Sequence, residues 1–214
     1  MEVQAILFDF DGTLADTMQR HFFCWKQTLE EVGVVINEDD YYPMEGSSLH
    51  KIAEKYSGSR EQQFINKLVV RKKKLYVDLY KHETLAFYPG AVELIQFLTK
   101  KYPLAIVTAG HEDQLRKTAP KEFLNLFANV TCGDTVKSNK PSPEPYIVAC
   151  KKLRKDPRTC VVVENAPLGV TSAIKAGCYC IGVESTCDKN QLSEAHETIT
   201  DIANLLNAKV FAYR

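Results

Sequence analysis

Neither sign of charge dominates this chain: its 214 residues carry 27 Lys and Arg against 27 Asp and Glu, a formal net charge of +0. That balance offers no electrostatic case for a nucleic acid or an anionic membrane surface as partner. The one dense basic run, Lys72-Lys73-Lys74, reads as a solvated helix face. No apolar stretch is long enough to span a bilayer. A strand pattern begins so close to Met1 that no secretory leader is expected before it. The seven cysteines are odd in number and scattered from Cys24 to Cys187. They read as small core residues of a reduced, cytoplasmic protein rather than as a disulfide framework. Cys178-Tyr179-Cys180 would put both thiols on one face of a strand, but no second pair completes a zinc site. Internal repeats, low-complexity tracts and long linkers are also lacking.

What is present is an alternation of short apolar runs and helical patterns. Ala5-Ile6-Leu7-Phe8, Leu104-Ala105-Ile106-Val107, Ala128 to Cys132, Cys160-Val161-Val162-Val163 and Cys180 to Val183 read as strands. Helices are expected from Pro89-Gly90 to about Lys100, with Val92, Ile95, Phe97 and Leu98 as the apolar positions. Others are expected from Glu112 to Thr118, from Pro143 to Leu153, and from Pro167 to Ala176-Gly177, with one more near Asp201 to Leu206. Such alternation implies a parallel sheet with right-handed crossovers, a Rossmann-like α/β fold. The stretch from Asp16 to Thr84 has no convincing strand. Phe22, Trp25, Leu29 and Val32 recur at helical spacing with Gly33 as a cap. Ser48 to Tyr56 and Arg60 to Lys81 read as two more helices separated by Gly58. The expected organisation is therefore an α/β core from residues 1–15 and 85–214, with a helical insertion at 16–84.

Four strand ends carry polar chemistry. The first strand runs into Asp9-Phe10-Asp11-Gly12-Thr13-Leu14. Two carboxylates one residue apart, at the edge where open α/β sheets bind ligands, are costly to ionise together without a cation. One can attack phosphorus while the other handles a proton. The second strand ends in Thr108-Ala109-Gly110, whose hydroxyl and following amide can bind a phosphate oxygen or simply cap a helix. Lys140-Pro141-Ser142-Pro143 holds a lysine on a stiff approach, either as an anion partner or as an ordinary turn residue. Val163 runs into Glu164-Asn165, which offer oxygen ligands suited to Mg²⁺ or a cap for the next helix.

Together these pieces resemble the signatures of the haloacid dehalogenase (HAD) superfamily. The closest likeness is to its β-phosphoglucomutase-like branch, in which a helical cap follows the first signature. His21 and Trp25 stand where that branch carries a His and a Trp in the first cap helix. The likeness runs from Val3 to about Ser185. It implies that Asp9 is a nucleophile forming an aspartyl-phosphate and that Asp11 is the acid and base. It implies that Mg²⁺ is held by Asp9, the Asp11 main-chain carbonyl and one or both of Glu164 and Asn165. Thr108, Ala109 and Lys140 would then bind the phosphoryl group.

Two departures matter. Asn165 replaces a usual Asp, so the site lacks one negative charge. Glu45, in the cap loop Met44 to Ser48, is either the replacement near the metal or an exposed loop residue. Thr13 fits the hydrolases better than the mutase, and the loop Ser47-Ser48-Leu49-His50 lacks the Arg a mutase wants. His21, Glu45, His50 and Lys73 are the expected contacts to a leaving group. The reading is a monomeric Mg²⁺-dependent phosphohydrolase of a small phosphorylated metabolite, a sugar phosphate or inorganic pyrophosphate. The alternatives are a phosphosugar mutase and a silent phosphate-binding module.

Overall fold

The computed structural model describes residues 1–212. Its centre is a six-stranded parallel sheet in the order β3-β2-β1-β4-β5-β6. The strands are β1 (Ala5–Phe8), β2 (Leu104–Val107), β3 (Asn129–Thr131), β4 (Cys160–Glu164), β5 (Tyr179–Val183) and β6 (Glu197–Ile199). Every residue of β1, β2 and β4 is buried. Their apolar runs have no polar alternation because both faces of the sheet are covered. Side chains alternate between two hydrophobic clusters: Ile6, Phe8, Leu104, Ile106, Val161 and Val163 face one way. Ala5, Leu7, Ala105, Val107, Cys160 and Val162 face the other. Helix α5 (Ala91–Leu98) packs on the first face, and α8 (Glu144–Leu153) and α9 (Pro167–Lys175) on the second. All seven cysteines are buried and free, as packing residues would be.

Strand β1 has β2 on one side and β4 on the other. The chain reverses its direction of winding there, which opens a crevice at the carboxyl ends of those three strands. Between β1 and α5 the chain is helical: α1 (Met18–Glu30), α2 (Glu38–Tyr41), α3 (Leu49–Ser57) and α4 (Gln62–Tyr80). These helices build a separate hydrophobic cluster around Trp25, Leu29, Ile52, Ile65 and Leu68. Ser48 caps α3 by accepting from the Lys51 amide, and Gly58 ends it with φ 66°. No helix among the described residues is long and apolar enough to cross a membrane.

Several expectations need correction. Lys72 is not on a solvated face: it is 0% exposed, beneath Trp25 and Tyr76. Phe97 is 41% exposed and Leu94 takes the inward position. A sixth strand follows β5, and short helices α2 and α7 (Lys121–Leu124) fill stretches to which the sequence pattern assigns no element. Ile202–Asn207 is a 3-10 helix, which Asp201 starts by accepting from the Asn204 amide.

Candidate active site

Asp9 leaves β1 with its amide bonded to the Val163 carbonyl, which fixes it between β1 and β4. Lys140 Nζ donates to Asp9 Oδ1 and to Glu164 Oε1, each at 2.6 Å, and to the Val107 carbonyl at 3.1 Å. The lysine is only 2% exposed. Its loop is anchored by Glu144, which accepts the amides of Lys137 and Ser138. Burial alone would lower the Lys140 pKa, but the charges of Asp9 and Glu164 outweigh it and hold the ammonium protonated. Glu164 also accepts from the Tyr146 hydroxyl at 2.9 Å and the Ala166 amide at 3.0 Å, so both of its oxygens are engaged. A Cβ on Gly169 would overlap that carboxylate, which is why α9 carries glycine there.

Asp11 sits across the crevice. Its Oδ1 accepts from Thr17 Oγ1 at 2.7 Å and meets His21 Nε2 at 3.0 Å, while its Oδ2 accepts from Thr108 Oγ1 at 3.1 Å. On the far side of the imidazole, Lys72 Nζ lies 2.7 Å from His21 Nδ1. A lysine ammonium can only donate, so Nδ1 accepts and Nε2–H points at Asp11. The His21 pKa is lowered by burial and by the Lys72 charge, which suits a neutral ring. Burial pushes Lys72 itself down to about 8. Burial raises the Asp11 pKa, yet His21 and the two threonine hydroxyls outweigh it and keep Asp11 ionised. Asp9 goes the other way: burial, then Glu164 and Asp11, raise its pKa well above the carboxylate range despite Lys140. The crevice thus holds more carboxylate charge than Lys140 compensates.

Glu45 is not the exposed loop residue that the sequence allowed. It is 3% exposed and lines the cleft rather than hanging in solvent. Gly46, with φ 77°, lets its loop lie against Ala166 and Leu168 of the core. Glu45 Oε2 accepts from Thr186 Oγ1 at 2.8 Å and from Asn165 Nδ2 at 3.2 Å, while Oε1 is buried without a partner. Burial, with Glu164 and Asp11 nearby, raises its pKa to about 7 against the Thr186 bond. Asn165 turns its amide nitrogen toward Glu45 and Thr186, and its oxygen accepts from Thr13 at 3.0 Å. Gly12, with φ 88°, leaves the space that this amide fills.

The cleft is lined by Asp9, Asp11, His21, Glu45, Thr108, Ala109 and Asn165, and measures about 500 Å³ including its open mouth. His50 and Lys73 do not line it. Lys73 instead meets His111 Nδ1 at 3.0 Å and Asp113 at 2.8 Å on α6 (Glu112–Thr118). His50 stacks on His111 at 6.3 Å. Both belong to the seam between the helices and the sheet. Sequence reasoning missed Thr17, Tyr146 and Thr186, and took Lys72 only as part of a basic run that could reach a leaving group, not as the buried partner of His21. A polar pair, Ser185-Thr186, follows the end of β5 just as Glu164-Asn165 closes β4, and that repeated pattern was the available signal.

A strand-end Asp-x-Asp, a buried lysine shared by two acids and a helical layer over the crevice agree with what comparison finds: residues 6–183 match the haloacid dehalogenase-like hydrolases. The chain belongs to that family. It is 27% identical over 201 residues to validoxylamine A 7'-phosphate phosphatase of Streptomyces hygroscopicus subsp. limoneus, covering 93% of this chain and 94% of that protein. It is 28% identical over 195 residues to hexitol phosphatase A of Escherichia coli K12, covering 91% and 89%. In fold it is similar to the crystal structure of β-phosphoglucomutase from Clostridium difficile, with a TM-score of 0.82 at 20% identity over 95% and 93% of the two chains. This chain is a HAD-type phosphatase with the β-phosphoglucomutase-like architecture.

Proposed function

We propose that this HAD phosphatase hydrolyses the phosphate monoester of a small sugar or polyol through an aspartyl-phosphate on Asp9, with Mg²⁺ as cofactor. The observation that carries it is the pairing of Asp9, fixed by Lys140, with Asp11, fixed by Thr17, Thr108 and His21, on one cleft. Asp9 attacks phosphorus and the ester oxygen leaves. Water then attacks the same phosphorus and restores the carboxylate. Asp11, having taken a proton as the substrate binds, gives it to the leaving ester oxygen; the carboxylate so formed, favoured by its low pKa, then takes the proton of the attacking water. Lys140 stays charged against Asp9, where it offsets charge on the transferring phosphoryl group, and Thr108 and Ala109 line the cleft that receives it. We take residues 16–84 as a cap that excludes water from this reaction.

The donor set suits a hard divalent cation: oxygen ligands crowd a site where burial, and then the charges of Glu164 and Asp11, drive Asp9 toward protonation. Asp9, the Asp11 carbonyl and Asn165 Oδ1 would hold Mg²⁺. Glu164, fully engaged by Lys140, Tyr146 and Ala166, supports them. When bound, the ion neutralises developing phosphoryl charge. Glu45 meets the nitrogen of Asn165 rather than its oxygen, so we assign it to the substrate side. That assignment also disfavours inorganic pyrophosphate, whose leaving group is an anion. The absence of Arg from Ser47-Ser48-Leu49-His50, with Thr13 intact, disfavours a mutase. We read the enzyme as a cytoplasmic monomer that needs neither nucleic acid nor membrane. Phosphate release across sugar phosphates, polyol phosphates and pyrophosphate tests the reading. Monoesters should be turned over with Mg²⁺, and EDTA should abolish release until Mg²⁺ is restored. Full activity after exhaustive chelation, or turnover of pyrophosphate alone, overturns it.

A further inference from the structure

We propose that Thr186 is a specificity-determining positioning residue: it holds one oxygen of Glu45 so that the other is left to accept a hydrogen bond from a hydroxyl on the leaving group. The inference rests on the phosphatase reading above and names its substrate class more narrowly.

Three segments meet at this point: the loop before α3 brings Glu45, the end of β4 brings Asn165, and the loop after β5 brings Thr186. Their polar atoms close a triangle. Thr186 Oγ1 donates to Glu45 Oε2 at 2.8 Å and accepts from Asn165 Nδ2 at 2.7 Å, and Asn165 Nδ2 reaches Glu45 Oε2 at 3.2 Å. A hydroxyl has one proton, so accepting from the amide commits the Thr186 proton to Glu45. Both donors thereby converge on Glu45 Oε2. Oε1 is buried and has no partner. Leaving a carboxylate oxygen buried and unpaired is costly, and a ligand donor removes that cost. Glu45 lines the cleft, so a ligand that fills it lies beside this carboxylate. The donor needed is a neutral O–H, because an anionic leaving group would face a carboxylate, with Asp11 and Glu164 also nearby. A polyol or sugar ester supplies such a hydroxyl, whereas acetyl phosphate has none. Thr186 acts from the core on a residue of the cap, so the fit to the hydroxyl forms only when the cap lies closed.

The test compares wild type, Thr186→Val and Thr186→Ser on a hexitol phosphate and on acetyl phosphate, with Mg²⁺. Thr186→Val should raise KM for the hexitol phosphate tenfold or more, since a hydrogen bond to a charged group is being misplaced. The KM shift for acetyl phosphate should be smaller by about the same factor. Thr186→Ser keeps the hydroxyl and should restore discrimination. In the metal-free proteins, amide hydrogen exchange of residues 42–47 should quicken in Thr186→Val and return to the wild-type rate in Thr186→Ser. Equal KM shifts for both substrates, or no recovery with serine, would overturn the inference while leaving the phosphatase reading intact. Failure of wild type to release phosphate from either substrate would overturn both.

Discussion

Lys140 shows how much of this site depends on single residues. Two carboxylates and a lysine are nearly dry, with side-chain exposures of 7% for Asp9, 1% for Lys140 and 0% for Glu164. Such a cluster is retained for its chemistry, since a buried ion pair is seldom a net source of stability. Removing its cation is another matter, because the acids remain. Lys140→Met should cost roughly 3–5 kcal/mol in chemical denaturation at neutral pH. The sequence placed Lys140 on a stiff loop but could not distinguish it from a surface lysine, because its burial comes from a partner 131 residues away. Glu45 was undecided for the same reason: its side-chain hydrogen-bond partners, Asn165 and Thr186, lie 120 and 141 residues along the chain. Asp9 and Asp11 were legible because the strand that delivers them and the turn that separates them are local.

At the scale of elements, the long apolar strands could be read directly and the short mixed ones could not. Strands β1 and β2 and the first four residues of β4 are unbroken apolar runs, whereas β6 is Glu197-Thr198-Ile199, half-buried at a sheet edge, with a single apolar residue. Helix α4 carried a signal that composition hid. Lys72 lies four residues after Leu68 and four before Tyr76, on the inward stripe of that helix. Its run of three lysines reads as exposed only if the helical rotation is ignored. The neighbouring Lys73 joins α4 to α6 through His111 and Asp113, and this seam should respond to pH. The His111 pKa is lowered, chiefly by burial and then by the Lys73 charge, against pulls from Asp134 and Asp113. An imidazole lowered in the folded state binds its proton more readily when unfolded, where its pKa is about 6.5. Stability should therefore be fully present above pH ~6.5 and decline as pH falls from there toward the folded value. In thermal melts across that window, His111→Gln should flatten the decline relative to wild type. An unchanged slope would show that His111 titrates alike in both states.

The whole molecule divides its labour between a sheet that fixes charges and helices that close over them. The sheet order puts β1 between β2 and β4, so Asp9, Thr108 and Glu164 come to one edge without any loop having to be long. The helical layer reaches the same edge through His21 on Asp11 and Glu45 on Asn165. Architecture was legible because strand and helix patterns alternate clearly. How the layers meet was not, since contacts such as Thr186 with Glu45 or Lys73 with His111 leave no periodic trace in the sequence.

The central claim is that Asp9 carries the phosphoryl group, and direct capture tests it. Acetyl phosphate has a good leaving group and needs no acid, so Asp11→Asn should still be phosphorylated by it with Mg²⁺ present but should lack the base for hydrolysis. Peptide mass spectrometry of the rapidly quenched variant should find a phosphoryl adduct on Asp9, and borohydride should convert that residue to homoserine. The adduct should be absent in the Asp9→Asn, Asp11→Asn double variant. Phosphate release by wild type with no adduct on Asp9 in Asp11→Asn, or with an adduct that survives Asp9→Asn, would contradict the account.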